Sequence, residues 1–168
     1  MMGFDTFTSK ELMNITEYTP LGSWPTDDIL IDETIKAMDA TPDQQDLVYT
    51  ITVQGHGDYP TEKVIENPEI TVSGAEDEAT NNQWEYYINE IHEVDKFIGN
   101  LTQALAERDE DTILVLWGDH LPTLGLSEED MATGDIFKTK YVTWNNFGMA
   151  KEDADLTSYQ LLAHLTGQ

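Results

Sequence analysis

The chain has 168 residues, 39% of them hydrophobic, which suits about one domain at the usual ~100–200 residues each and argues against wholesale disorder. Its 33 Asp and Glu against 8 Lys and Arg leave a net charge of −25, a surface that repels phosphate backbones and speaks against a nucleic-acid binder. There is no cysteine, so disulfides, zinc–thiolate centres and thiol nucleophiles are excluded together.

No apolar run approaches the ~18 residues of a membrane span, which predicts a soluble chain. The start, Met1-Met2-Gly3-Phe4-Asp5, lacks the basic and apolar stretches of a signal peptide. Residues 1–25, with Pro20, Gly22 and Pro25, read as connecting structure. A helix follows: Thr26 suits its cap, Asp27 and Asp28 suit the positive end of its dipole, and Ile31, Ile35 and Met38 recur at helical spacing. Thr41-Pro42-Asp43 ends it.

The run Leu47–Val53 is apolar and β-branched, the composition of a strand buried on both faces. It stops at Gly55-His56-Gly57-Asp58. Residues 58–82 are polar and turn-rich and predict a long loop, with one extended piece at Ile70-Thr71-Val72. A long helix from about Asn82 to Glu107 carries Trp84, Tyr87, Ile88, Ile91, Val94, Ile98, Leu101 and Leu105 at spacings of three and four. A second buried strand, Thr112–Trp117, again stops at a glycine, in Gly118-Asp119-His120. Lys140–Trp144 reads as a third strand, and Leu156–Leu165 as a short helix with Leu161, Leu162 and Leu165 inward.

This order predicts an α/β fold: a layered α/β/α sandwich with a largely parallel sheet. Two strands joined by a long helix form a βαβ unit with parallel strands, whose C-terminal ends share one edge. Open α/β sheets bind ligands beyond that edge. The first strand delivers His56 there and the second delivers Asp119 and His120, although about sixty residues separate them. A carboxylate and an imidazole are ordinary ligands of Mn²⁺, Zn²⁺ or Mg²⁺. His56, between two glycines, can meet a substrate oxyanion or join the coordination shell. The plainer alternatives are a turn-capping Asp119, a hydrogen-bonded loop histidine at 120, and a turn-filling His56. His92 reads as a packing or supporting group, Asp95 as solvated or capping, and His164 as structural.

These residues resemble the C-terminal half of the extracellular catalytic domain of lipoteichoic acid synthases and related phosphoglycerol transferases, in the sulfatase branch of the alkaline phosphatase superfamily. The resemblance rests on Met2-Gly3-Phe4-Asp5-Thr6-Phe7, Trp24-Pro25-Thr26-Asp27-Asp28, Ile51-Thr52-Val53-Gln54-Gly55-His56, the helix segment from Tyr86 through His92 and Asp95, and Leu116-Trp117-Gly118-Asp119-His120. Gly118-Asp119-His120 after a strand is its most specific element. The resemblance implies that Asp119 and His120 ligate a catalytic Mn²⁺ or Mg²⁺ and that His56 contacts the phosphate or glycerol-phosphate of the substrate. It also implies a phosphoglycerol-bearing lipid, or another phosphate or sulfate ester, as substrate, and a place on the extracellular face of the cell membrane.

The family's nucleophilic threonine, its glutamate ligand and a tryptophan and arginine of its pocket precede the matched region, and no segment here matches them. Residues 1–168 are therefore expected to be the C-terminal part of a sulfatase-like catalytic domain, with Met1 an added start. No catalytic nucleophile is assigned. Such a piece is expected to bind metal weakly, transfer nothing, and expose a sheet edge open to self-association. A different class of function, a non-enzymatic acidic module holding a structural cation, stays open beside it.

Overall fold

The computed structural model describes residues 3–167; the expected added start, Met1, lies outside them. Helix α1 spans Ile29–Asp39, α2 spans Glu78–Ala106 and α3 spans Leu161–Thr166. Strands β1 (Ile113–Trp117) and β2 (Tyr141–Asn145) pair antiparallel, from Ile113 opposite Asn145 to Trp117 opposite Tyr141. The fold is mixed α/β.

Helix α2 organises the molecule. It starts four residues earlier than expected because the Asp77 side chain caps it, accepting from the Thr80 N–H at 2.7 Å. Phe97, Leu101 and Leu105 on α2 are buried, and Leu30, Ile31, Ile35 and Met38 from α1 pack on them. Leu114 and Trp144, directly opposite each other on the hairpin, cover the same core from the sheet side. Burying such side chains contributes roughly 1.5–3 kcal/mol apiece, which fixes α1 and the hairpin on α2.

The N-terminal half of α2 instead holds the long loop with polar side chains. Asn89, 7% exposed, accepts from the Ile70 N–H at 3.1 Å and donates to the Ile70 carbonyl at 2.8 Å. Glu85 accepts from the Val72 N–H at 3.2 Å. The expected extended piece thus satisfies its backbone on a helix rather than on a neighbouring strand. His92 joins this clip through Glu69 at 3.0 Å, and Lys96 grips the same carboxylate at 2.9 Å.

The expected largely parallel sheet is corrected here. Among the described residues the sheet has two strands, both on the C-terminal side of α2 and antiparallel. Residues 47–53 carry no ladder, and Leu47, Tyr49 and Ile51 are 64%, 53% and 64% exposed rather than buried. A strand needs a neighbour to accept its backbone hydrogen bonds, and apolar composition does not supply one. The run still lies beside β1, with the Tyr49 and Trp117 rings 5.7 Å apart. Strand β1 is itself only half covered, since Ile113 and Trp117 are exposed. At the C-terminus Leu162 points outward, 55% exposed.

Candidate functional site

His56 is presented by a turn that is held from three directions. The turn closes when the His56 N–H donates to the Val53 carbonyl at 3.0 Å. Below it, the Asp27 carboxylate accepts from the Val53 N–H at 2.9 Å and the Gln54 N–H at 3.3 Å. On one side the Tyr59 hydroxyl donates to the Gly55 carbonyl at 2.9 Å. On the other the Trp24 indole N–H donates to the Gly57 carbonyl at 3.2 Å. The glycines sit at close approaches: a Cβ on Gly55 would meet Ile91 Cδ1 at 3.0 Å, and one on Gly57 would meet Thr123 Oγ1 at 3.0 Å. The second contact brings the His56 turn against the loop that follows Asp119 and His120.

The imidazole of His56 stands between two rings. Trp24 meets it edge-on with centroids 4.8 Å apart, and His120 lies at 5.8 Å, perpendicular to it. The two histidines therefore converge even though residues 47–53 form no strand. Asp119 completes the group, its Oδ1 3.6 Å from Nε2 of His120. All three side chains face solvent.

The His120 ring is oriented by its own chain, with Nδ1 2.9 Å from the Leu121 carbonyl. A carbonyl only accepts, so Nδ1 carries a proton, and in the neutral ring Nε2 keeps its lone pair. Nε2 lies 3.6 Å from the Asp119 carboxylate oxygen, where a neutral ring presents its lone pair and a protonated ring makes an ion pair. This is the arrangement in which a metal-binding imidazole is usually held by a partner on its other nitrogen. Among the described residues, no group of three or more His, Asp or Glu side chains gathers to hold an ion. Asp119 and His120 by themselves offer two donors, fewer than the about four to six that a divalent shell needs.

The support under this site is not visible as such in the sequence. Asp27 is 1% exposed, Glu90 2% and Gln54 5%. The sequence marks Asp27 only as a charge at a helix start. Glu90 lies two helical turns before Phe97, on the stripe of α2 that continues through Leu101 and Leu105, and an acid on that stripe is the signal that marks it. His92 lies away from the His56 turn in the loop clip, and Asp95 is exposed on α2.

The sulfatase family matches residues 1–166, and the chain belongs to that family. A protein of Rhizobium meliloti (strain 1021), provisionally described as a cyclic beta-1,2-glucan modification protein, is 30% identical over 177 residues. The match covers 96% of this chain and 27% of that relative, so the chain spans about a quarter of its length. No solved structure matches the chain. No helix among the described residues is long and apolar enough to cross a membrane.

Proposed function

We propose that the chain forms the metal- and anion-facing part of a sulfatase-family catalytic domain acting on a phosphate or sulfate ester, with phosphoglycerol transfer as its reaction. The observation that carries this reading is the approach of His56 to His120, 5.8 Å between ring centroids, with Asp119 alongside. Asp119 and His120 supply a carboxylate oxygen and an imidazole lone pair to Mn²⁺ or Mg²⁺. His56 donates a ring N–H to an oxygen of the substrate anion, and Trp24 fixes the direction of that donor. When bound, the divalent ion neutralises charge on the transferring group and activates a nucleophile. On a chain of net charge −25, an anionic ester needs such a cation nearby.

The remaining ligands and the nucleophile belong, on this reading, to further chain of the same domain. That chain would also ladder with residues 47–53 and build the layered, largely parallel sheet, since an apolar run this exposed lacks only a neighbour. Pairing with a second copy is the competing use of the same edge. The relative's description as a glucan modification protein makes a glycan a candidate acceptor beside a phosphoglycerol-bearing lipid. The domain would then work at the outer face of the membrane.

The test is a titration of the chain with Mn²⁺, followed by the paramagnetic broadening of its histidine ring signals. His120 is expected to broaden first, and His56 next, with Asp119→Ala abolishing both effects. Glycerol phosphate added with the ion is expected to shift His56, while the 168 residues alone turn over no phosphodiester. Broadening spread over the acidic surface, unaffected by Asp119→Ala, would overturn the reading in favour of a diffuse cation-binding module.

A further inference from the structure

Two residues other than glycine hold a positive φ among the described residues, and one of them, Asp58 at +73°, directly follows the His56 turn. Left-handed backbone is costly for a residue with a Cβ and persists where the surrounding contacts fix it. Here the reversal brings Tyr59 back along the chain, and its hydroxyl donates to the Gly55 carbonyl, four residues earlier, at 2.9 Å. Tyr59 is in turn seated on α2. It is 8% exposed, and its ring meets that of Tyr87 edge-on with centroids 5.3 Å apart. Its carbonyl accepts the Gln83 side-chain amide at 3.2 Å, and the Asn82 amide donates to the Thr61 carbonyl at 2.9 Å. Two side-chain amides thus lay the chain that leaves the His56 turn along the start of α2.

The carbonyl that Tyr59 grips belongs to the peptide joining Gly55 to His56. A peptide is planar, so fixing its carbonyl also fixes the direction of its N–H. That N–H, on His56, closes the turn on the Val53 carbonyl at 3.0 Å. Gly55 needs such a hold, because glycine restrains its own backbone least. Burial pushes the Tyr59 hydroxyl up to about 12, so it keeps its proton at neutral pH and stays a donor. The segment before α1 holds the entry of the turn through Asp27, and α2 holds its exit through Tyr59.

We propose that Tyr59, seated on α2 by Gln83, is a positioning residue for His56, holding through the Gly55 carbonyl the peptide from which the His56 ring reaches Trp24 and His120. This deepens the reading of His56 as the group that meets the substrate anion, and it rests on that reading for its functional meaning. The relay runs from the Gln83 amide to the Tyr59 carbonyl, from the Tyr59 hydroxyl to the Gly55 carbonyl, and from the next residue's ring to Trp24. Removing the hydroxyl frees the Gly55–His56 peptide to rotate, and removing the amide lets Tyr59 shift on α2. Neither change touches the Phe97, Leu101 and Leu105 core.

The experiment compares the full chain with Tyr59→Phe, Gln83→Met and the double variant by NMR at pH 7. Tyr59→Phe deletes only the hydroxyl and keeps the ring on Tyr87; Gln83→Met deletes the amide and keeps its bulk. The readout is the cross-peak between the His56 ring and the Trp24 indole, whose centroids are 4.8 Å apart. Each single variant is expected to lose about half of it or more, since the signal falls with a high power of distance and a displacement of roughly 0.5 Å suffices. The double variant is expected to lose no more than Tyr59→Phe alone, because both changes break one relay. Trp144, packed on the Phe97 cluster, reports the fold, and its indole signal is expected to stay in place. Should Gln83→Met move it, Gln83→Ala takes its place. A Tyr59 that only stabilised the fold would lower the unfolding midpoint and leave the cross-peak of the folded molecules at full strength. That result in Tyr59→Phe or in the Gln83 variant, or a further loss in the double variant, overturns the proposal. No metal or ester enters this measurement, so a failure of Mn²⁺ binding leaves it standing and its own failure leaves the metal reading standing.

Discussion

Asp27 and Gln54 clasp each other in both directions: the Asp27 N–H donates to Gln54 Oε1 at 3.0 Å, and the Gln54 N–H donates back to the Asp27 carboxylate at 3.3 Å. The clasp joins the start of α1 to the turn that carries His56, and both residues are buried. Asp27→Ala strips the acceptor from two backbone N–H groups, Val53 and Gln54, inside the protein. The expected loss is about 2–3 kcal/mol in urea unfolding, because each buried donor left alone costs ~1–3 kcal/mol and removing a buried carboxylate returns part of it. Asp27→Asn keeps one acceptor and is expected to lose less.

Glu90 gives the molecule a particular pH dependence. Its carboxyl is raised from 4.5 to about 7 by burial. The unfolded chain therefore releases this proton before the folded one does, so stability from this group is full below about 4.5 and is lost as pH rises through about 7. Glu90→Gln has no proton to lose. Its stability advantage over the natural chain is expected to be smallest at pH 4 and to grow to as much as ~3 kcal/mol at pH 8, by the conversion of ~1.4 kcal/mol per pH unit. Unfolding curves of both proteins at several pH values measure it. A constant difference across the range would contradict the assignment.

Gly55 packs its α-carbon against the tip of Ile91 on α2, where a Cβ would sit 3.0 Å from Cδ1. Ile91 is 37% exposed and has somewhere to move, so Gly55→Ala is expected to cost about 1 kcal/mol, the low end for overpacking. Ile91→Val removes that same Cδ1. The double variant is expected to regain most of the loss, which a double-mutant cycle in thermal unfolding would show as a favourable coupling between the two sites.

What the sequence makes legible follows from the range of each interaction. Helices α1 and α2 and strands β1 and β2 are set by local periodicity and turn residues, and they lie within a few residues of expectation. Pairing is not local. Leu47–Val53 has strand composition, yet it lies exposed and unladdered, while β1 takes the later strand β2 as its neighbour. His56 and His120 nevertheless meet, because Trp24, Asp27, Tyr59 and Thr123 hold the His56 turn by side-chain contacts that no strand periodicity encodes. The buried acids are hidden for a related reason. An apolar period marks where a helix is covered, and Glu90 stands out only when it is read as an acid placed on that covered stripe.

Asn146 ties the end of α2 to the hairpin from which His120 departs. Its Oδ1 accepts from the Thr112 N–H at 2.8 Å, and its Nδ2 donates to the carbonyls of Leu105 at 3.2 Å and Glu110 at 2.8 Å. One side-chain amide thus satisfies a helix-terminal carbonyl, a loop carbonyl and the first N–H before β1. Asn146→Ala is expected to cost about 1–2 kcal/mol, since the Thr112 N–H loses its acceptor while the Leu105 carbonyl keeps the Arg108 N–H and the Glu110 carbonyl keeps the Thr112 hydroxyl. Asn146→Asp separates the two halves of the role: it keeps the acceptor for Thr112 and turns a carboxylate oxygen toward two carbonyls. Above the carboxylate range this variant is expected to be at least as unstable as Asn146→Ala. Near pH 3 the introduced carboxyl is protonated and donates to one of those carbonyls, so the difference between the two variants is expected to close or reverse. Unfolding of both variants at pH 3 and pH 7 checks this, and an Asn146→Asp protein as stable as the natural chain at pH 7 would show that the two donated bonds hold nothing in place.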